Sequence, residues 1–583
     1  MIVPSTPTGR FGVIPKVSGT GAARPARLTV RVLVAVLAVM LAAHPEAASA
    51  RVTVAQTTDA ARVVRSTLSA VSRSGRLTAD QRYRYRRSLR RAMKLVRRLD
   101  ETGRARRRDE LGSQIVMLAT LAGRGALAPK RMGPLFRQLD ANRFWFAKSE
   151  PPRRSARISV GGDPLVYAFY PGRGLQLQPL FNWTKVNGYW FARDYAGMRA
   201  LIDRLAPLAV PQRGGWISWE YAFDYPGSRA PWLSGMAQGV AIQALARAWQ
   251  ATHDPEYLAL ARRALPGLGR PLAQGGLLGR SPGGRWWPLY AEQPSLRVLN
   301  GDLQTIISLY DYADITADTR ALGWARDGAH AAVALLPKYD TGAWSLYQGS
   351  REANLGYHDL MTLQLRQLAL RTGNLEFRRY ADRFAQYREM APVIAASIGP
   401  TPVIYPTVPD SPRAAATFRA RLNKASELSL AVADIRGSIV AERMLGAHRR
   451  GAFTVPWDGF AHGRPVAPGI YQLWMSATDL AGNRSPRTFV GTAVVERDTK
   501  PPAVRALRID AFHGQVRLRW RLIDDASAHV DITVSTGHGK LTLHDVPLAG
   551  RRTIDLAATR ELVAGITVID ESGNRTRRTR QVS

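Results

Sequence analysis

The chain has 583 residues, 45% of them apolar, with 82 Lys and Arg against 45 Asp and Glu, a formal net charge of +37. This length calls for several globular domains rather than one, and the apolar content excludes a wholly disordered chain. Cysteine is absent, which excludes disulfides, thiolate catalysis and Cys-ligated zinc, and no Cys/His zinc spacing or aromatic-spaced RNA-binding motif argues for nucleic acid. The positive charge is compatible with an acidic polymer or an anionic surface, and equally with a compositional bias toward arginine.

In chain order, Arg24, Arg27 and Arg31 precede the apolar run Val32 to Ala43 and a small-residue "ASA" at Ala48 to Ala50. That layout predicts a cleaved signal peptide over 1–50, with an uncleaved anchor as the alternative, and hence a secreted or envelope-attached protein. Residues 51–150 read as a basic helical region. One very basic helix starts at a Thr78 cap with a narrow stripe of Leu89, Met93 and Val96, and "LGSQIVMLATLAG" forms the next. The region is expected to pack on the following domain, with contact to an anionic envelope polymer as the sharper alternative.

Residues 151–400 are mostly helical and repetitive. "ALARAWQATHDPEYLALARRAL", "LYDYADITADTRALGWARDGAHAAVALL" and "LQLRQLALRTGNLEFRRYADRFAQY" each read helix, polar turn, helix. Their turns begin at Thr252, Thr316 and Thr372, a period of roughly 60 residues that predicts stacked helical hairpins closing into an α/α toroid or running as a solenoid. The long connections at the other hairpin ends are dense in Trp, Tyr, Gly and Pro. If they gather at one face they line one cleft, suited to sugar rings that stack on aromatics; the alternative is that they cap the helical core.

After Pro400 the pattern changes to apolar/polar alternation with Gly, Pro and Asn turns. "DLAGNRS" at Asp479 returns as "DESGNRT" at Asp570, with "RDTKPP" (Arg497 to Pro502) between the copies. This predicts two immunoglobulin-like β-sandwich modules, 401–497 and 498–583, each of roughly 90 residues. The first resembles the module of flagellar hook-capping proteins, which serves as a spacer or an attachment to the cell envelope.

Five segments carry a resemblance in the middle of the chain: "YPGRGLQLQPLFNWTKVNGYW" (Tyr170 to Trp190), "PWLSGMAQGVAIQALARAW" (Pro231 to Trp249), "YAEQPSLRVLNGDLQTIISLYD" (Tyr290 to Asp311), "LLPKYDTGAWSLY" (Leu335 to Tyr347) and "NLGYHDL" (Asn354 to Leu360). Together they resemble the C-terminal catalytic domain of the D-glucuronyl C5-epimerase family. The resemblance implies an α/α toroid and conversion of D-glucuronate to L-iduronate within a polymer such as heparan sulfate precursor, with no cofactor and no metal. It places the catalytic tyrosines at Tyr290, Tyr347 and Tyr357. Leu289 stands where the animal enzymes have Glu, and Ser350, beside Arg351, where they have Arg.

Epimerisation at C5 needs two proton carriers and donors for the ene-diolate. His358 and Arg351 are candidates for the substrate carboxylate, and Asn300, Gln238, Trp232 and Trp287 for the sugar. Asn300 is equally readable as a helix cap and His358 as a structural hydrogen-bonder. The alternatives are a uronate polysaccharide lyase, a glycoside hydrolase drawing two carboxylates from Glu220, Asp224, Glu292 and Asp302, and a non-catalytic protein that binds acidic glycan. Oligomeric state is not legible.

Overall fold

The computed structural model describes residues 51–407, 413–512, 515–524, 528–536, 539–555, 562–570 and 573–582. The expected signal peptide or anchor over 1–50 lies outside the described residues. Among the described residues no helix is long and apolar enough to cross a membrane. The chain divides into two compact units between Tyr387 and Arg388, a helical one followed by a β-rich one.

The helical unit opens with α1 (Val54–Arg73), α2 (Ala79–Glu101), α3 (Ala105–Gly123) and α4 (Pro129–Lys148). Thr78 caps α2 as its sequence suggested, its hydroxyl accepting from Gln81 N while the Gln81 side chain accepts from Thr78 N. The expected apolar stripe is buried as Leu89, Met93 and Val96. A short antiparallel sheet follows, β1 (Arg157–Ile158), β2 (Tyr167–Tyr170) and β3 (Gly174–Leu177). The outer edge of β3 has no partner strand, and α3 and α4 supply the missing bonds. Asn142 accepts from Leu175 N at 2.7 Å and donates to Leu175 O at 2.8 Å, and Gln138 accepts from Leu177 N at 2.8 Å. Glu110 accepts from Gly172 N and Gly174 N at 2.8 and 2.9 Å. Gly174 is required here: it has φ +64, and a Cβ would lie 2.5 Å from Asn142 Oδ1. The basic helical region therefore packs on the domain that follows it.

Next come helices in pairs: α5 (Pro179–Ala192) with α6 (Tyr195–Leu205), α7 (Gly235–Thr252) with α8 (Pro255–Ala264), α9 (Leu299–Thr316) with α10 (Thr319–Leu335), and α11 (Leu355–Thr372) with α12 (Leu375–Glu389). The tight turns share one chemistry. Thr252, Thr316 and Thr372 close their helices by donating to the carbonyl four residues back at 2.7–2.8 Å. His253, Ala317 and Gly373 then take left-handed φ of 55°, 59° and 68°. Asp254, Asp318 and Asn374 accept from the first amides of the returning helix.

The first helix of each pair packs on the first helix of the next, in the order α5, α7, α9, α11. A buried polar network threads this row. Asn187 on α5 bonds Gln243 and Arg247 on α7 at 3.1 and 2.9 Å, and both of these donate to Asp311 on α9 at 2.5 Å. Arg371 on α11 reaches the other Asp311 oxygen.

The β-rich unit begins ahead of residue 401, because β6 (Ile394–Ser397) already pairs with β8 (Ala416–Leu422); two site strands, β4 (Leu346–Gln348) and β5 (Arg351–Glu352), belong to the helical unit. β6, β8 and β11 (Gly451–Trp457) form one sheet. The facing sheet has the order β7 (Val403–Ile404), β13 (Thr488–Val495), β12 (Gly469–Asp479), β9 (Ser426–Asp434), β10 (Ile439–His448). Both contribute to one core that includes Phe418, Leu430, Trp457 and Leu473. A second core, with Leu518, Trp520, Ile532 and Ile566, lies between β14 (Ala503–Phe512), β15 (Gln515–Ile523) and β18 (Ala549–Asp555) on one side and β17 (Gly539–Leu543), β16 (Ala528–Thr536), β19 (Leu562–Asp570) and β20 (Arg575–Val582) on the other.

The repeated Asp-x-x-Gly-Asn motif is a loop closure. Asp479 accepts from Asn483 N and Asp570 from Asn574 N, around Gly482 and Gly573 at φ 90° and 84°. Each Asn side chain then donates to the segment that leads into its own sheet pair, Asn483 to Arg388 O at 2.7 Å and Asn574 to Asp498 O at 3.2 Å. In the first copy Lys424 Nζ lies 2.6 Å from Asp479, both side chains 1% exposed.

Two stability outcomes are expected. Asp311→Ala leaves the buried Arg247 guanidinium without its carboxylate, while Arg371 keeps Asp314, and should cost about 3–5 kcal/mol, read as a lowered thermal midpoint of the helical unit by circular dichroism. Lys424→Ala should cost the β-rich unit a similar amount by leaving the Asp479 carboxylate buried and uncompensated, whereas Lys424→Met with Asp479→Asn, which removes both charges and keeps an acceptor for the Asn483 amide, should recover part of it.

Candidate active site

The long connections lie opposite the tight turns, and they converge. The α6–α7 connection carries Tyr221, Phe223, Tyr225 and Trp232; the α8–α9 connection carries Trp286, Trp287 and Tyr290; the α10–α11 connection holds the hairpin of β4 and β5, with Tyr347 and Arg351, and Tyr357 follows in the first turn of α11. The first two loops are clipped together by backbone bonds Ala291 N to Leu233 O and Gly235 N to Pro288 O, both 3.0 Å. Gln293 adds bonds to Pro226 O and Ser228 Oγ, and Glu292 accepts from Arg229 N.

These clips bring the tyrosines together. The Tyr290 ring stacks on Tyr225, centroids 5.5 Å apart, and tilts against Trp232 at 5.5 Å. Tyr347 and Tyr357 lie 4.5 Å apart. The hydroxyls pair as Tyr290 with Tyr225 and Tyr347 with Tyr357. Burial pushes the Tyr290 and Tyr347 hydroxyls well above the ordinary tyrosine range, and the neighbouring tyrosines push the same way, because an anion on one disfavours an anion on the next. Arg351 opposes this at Tyr347, its guanidinium 5.8 Å from the ring centroid. Burial also raises Tyr225, opposed by the Tyr290 hydroxyl and by the charges of Arg173 and Arg351. Tyr170, at the end of β2, is raised by burial and by Tyr225, with Arg173 acting against it. Beside Arg173 an open cleft of about 250 Å³ runs between α3, at Met117, Thr120 and Arg124, and the Phe223–Asp224 stretch.

Of the residues singled out by sequence, Tyr290, Tyr347, Tyr357, Trp232 and Arg351 meet here. Trp232 is 2% exposed, stacks flat on Tyr221 at 4.0 Å and donates its indole N–H to Phe223 O at 2.8 Å, so it backs the Tyr290 ring rather than facing a sugar. Four others are buried, and the side chains of Trp287, Gln238 and His358 do supporting work there. Trp287 is fully buried, its indole donating to Leu268 O and its backbone to Asp302, both 2.8 Å. Gln238 donates to Ile217 O and Ala264 O at 2.8 Å, tying a loop to the end of α8. Asn300 is fully buried in the first turn of α9; it is not the cap, since α9 starts at Leu299 after Val298, and its carbonyl accepts from Gln364. His358 is fully buried, bonded to Ser345 Oγ at 2.7 Å and to Phe384 O at 2.8 Å, with Trp344 stacked on it at 3.8 Å. The Phe384 carbonyl accepts only, so Nε2 carries a proton and, in the neutral ring, Nδ1 accepts from Ser345. His358 thus holds the Tyr347 loop in place.

Tyr225, Tyr170 and Arg173 were not singled out. Tyr225 lies in an aromatic loop already noted, and Tyr170 and Arg173 in the "YPGRG" motif, but nothing in their spacing separates them from core aromatics and surface cations. The carboxylates available to a hydrolase are engaged elsewhere: Glu220 with Arg131 at 2.6 Å, Asp224 with Arg124 at 2.7 Å, Glu292 on Arg229 N, and Asp302 buried under Trp287 N. Burial raises Asp302 well above the carboxylate range.

Residues 213–386 match the family model of the D-glucuronyl C5-epimerase C-terminus, and residues 410–480 that of the FlgD Ig-like domain. The chain is 33% identical over 154 residues to the D-glucuronyl C5-epimerase of Caenorhabditis elegans, covering 23% of this chain and 24% of that protein. It is 29% identical over 181 residues to an uncharacterized protein of Methanocaldococcus jannaschii, covering 30% of this chain and 58% of that one. The match thus spans about a quarter to three-fifths of these relatives' own lengths. Among solved structures, a D-mannose isomerase aligns at 12% identity and TM-score 0.30, over 48% of this chain and 73% of that one, too distant to carry the fold. The chain thus carries one region similar to the D-glucuronyl C5-epimerase C-terminus and a second similar to the FlgD Ig-like domain.

Proposed function

We propose that the helical unit is an α/α-toroid epimerase that inverts C5 of glucuronate units in an acidic polysaccharide, and that the β-rich unit is a pair of immunoglobulin-like modules that space or attach it at the cell envelope after export. The observation that carries this reading is the convergence of Tyr290 from one connection with Tyr347 from the next hairpin and Tyr357 from the helix start behind it, beside Arg351.

The reaction breaks the C5–H bond, passes the proton to a tyrosinate on one face and moves the electron pair into the carboxylate as an ene-diolate. A neutral tyrosine on the opposite face then returns a proton to C5 and is left ionised. Arg351 and Arg173 supply positive charge where negative charge develops, which favours both the ionised tyrosine and the ene-diolate. Burial and mutual repulsion favour the protonated form of Tyr290 and Tyr347, which suits the tyrosine that returns the proton, while the one that takes it depends on the opposing charge of Arg351 to ionise. The cleft beside Arg173 offers room for part of the polymer.

The test is exchange in D₂O with non-sulfated glucuronate polymers, read at C5 by NMR. Label with intact chain length and new iduronate signals is expected. Unsaturated uronate ends would assign a lyase instead, and polymer binding with no label would assign a glycan-binding protein. Tyr290→Phe, Tyr347→Phe and Tyr357→Phe should each lower turnover by about 10²-fold or more while polymer binding persists.

A pH profile separates the electrostatic part. Since ionisation of a raised tyrosine limits the rate, kcat/KM should climb with pH through the alkaline range. Arg351→Gln removes a charge that lowers Tyr347 and Tyr225, so the climb should move to higher pH and activity near neutrality should fall, with little change at the alkaline end. An unshifted profile would remove Arg351 from the tyrosine electrostatics.

A further inference from the structure

The outer face of α2 takes no part in the proposed chemistry, and folding accounts for little of it: Arg86 and Arg82 reach Ser69 and Ser72 on α1 at 2.8 and 3.4 Å. Between Arg82 and Arg98 the helix exposes nine Arg and Lys side chains and contains no carboxylate. Arg84, Arg87, Arg91 and Arg98 fall at helical spacing along one row, and Arg82, Arg86 and Arg90 along a second. Like charges at i, i+4 repel and cost the helix stability. The carboxylates at its ends do little to balance them: Asp80 pairs with Arg84 at 3.0 Å across an exposed surface, and Asp100 is taken by Arg108.

We propose that this ridge is a second binding site for an acidic polysaccharide, one that holds the polymer away from the reacting unit; the identity of that polymer rests on the function proposed above. The ridge runs about 24 Å at the usual helical rise, long enough to lie along several sugar units. Arginine supplies eight of the nine cations, and its fork meets carboxylates with two parallel bonds. The face is rigid before binding, since Leu89, Met93, Val96 and Leu99 are buried and α2 packs on α1, α3 and α4.

Two other polyanions fit less well. A helix that lies on a membrane turns an apolar face into the lipid, and the apolar stripe of α2 is already buried in protein. Single-stranded nucleic acid sites interleave cations with stacking aromatics. Here Tyr85 is stacked on Phe136 at 4.7 Å, which leaves Tyr83 as the exposed aromatic of the helix.

The test uses the full chain with Arg84→Gln, Arg87→Gln, Arg91→Gln and Arg98→Gln together, all exposed and all on α2. Retention on immobilised non-sulfated glucuronate polymer is measured across a salt series, beside anionic phospholipid vesicles and duplex DNA. The variant should leave the polymer at lower salt, and the slope of log K against log salt should fall by about three, from the lost counterion release. Its thermal midpoint should be unchanged or raised. If the fourfold variant does not fold, Arg91→Gln alone should show a proportionate loss of about one in slope. Unchanged retention and slope would overturn the proposal, as would charge-dependent binding to vesicles or DNA that exceeds binding to the polymer. The readout needs no turnover: loss of retention in the variant with no C5 exchange in the native chain would reject the epimerase and keep the ridge.

Discussion

The helical unit depends on a single buried carboxylate. Asp311 sits where α5, α7, α9 and α11 pass one another, and it receives bonds from Gln243, Arg247 and Arg371. A charge taken out of water is tolerable only when its lone pairs are filled and opposite charge is in contact. Apolar packing alone permits neighbouring helices to slide by small amounts at little cost, whereas the directional bonds to Asp311 fix their relative height. That height decides where the long loops at the opposite ends meet, so the placement of Tyr290, Tyr347 and Tyr357 is set some way from the tyrosines themselves.

A second layer of buried polar bonds works closer to the site. His358 is held between Ser345 and Phe384 and carries Trp344 on its face, which orients the hairpin that bears Tyr347. Gln238 and Trp287 do the same for the neighbouring connections by donating to backbone carbonyls. On the far side, Glu110, Gln138 and Asn142 complete the open edge of β3 and fix the turn that carries Tyr170 and Arg173. The basic helical region thereby becomes part of the cleft wall.

In the β-rich unit, folding and linkage share one motif. Asp479 and Asp570 close their loops through the amide of a following Asn, and the Asn side chain returns to the segment that enters its own sheet pair. Burial works to raise the Asp479 carboxyl, but the Lys424 ammonium and the bonds from Asn483 outweigh it and hold it below the ordinary carboxylate range. The stability from that pair is present above the unfolded carboxylate pKa, near 4, and is lost as pH falls through the lower folded value.

The helix pairs were legible because their signals are local. Apolar side chains recur at helical spacing, and three of the four turns spell Thr, a left-handed residue, then Asp or Asn. The strands and their duplicated Asp-x-x-Gly-Asn loop were legible for the same reason, and Tyr290, Tyr347 and Tyr357 through short motifs held in order along the chain. The partners of these groups were not legible, because burial and pairing arise between residues far apart in sequence. Tyr225 meets Tyr290 across 65 positions, and Arg371 meets Asp311 across 60. For His358, Gln238 and Trp287 the sequence determined which bonds each side chain is able to make. The tertiary structure alone decided that those bonds would go to the protein's own backbone and core, since only packing determines which polar groups lose their water.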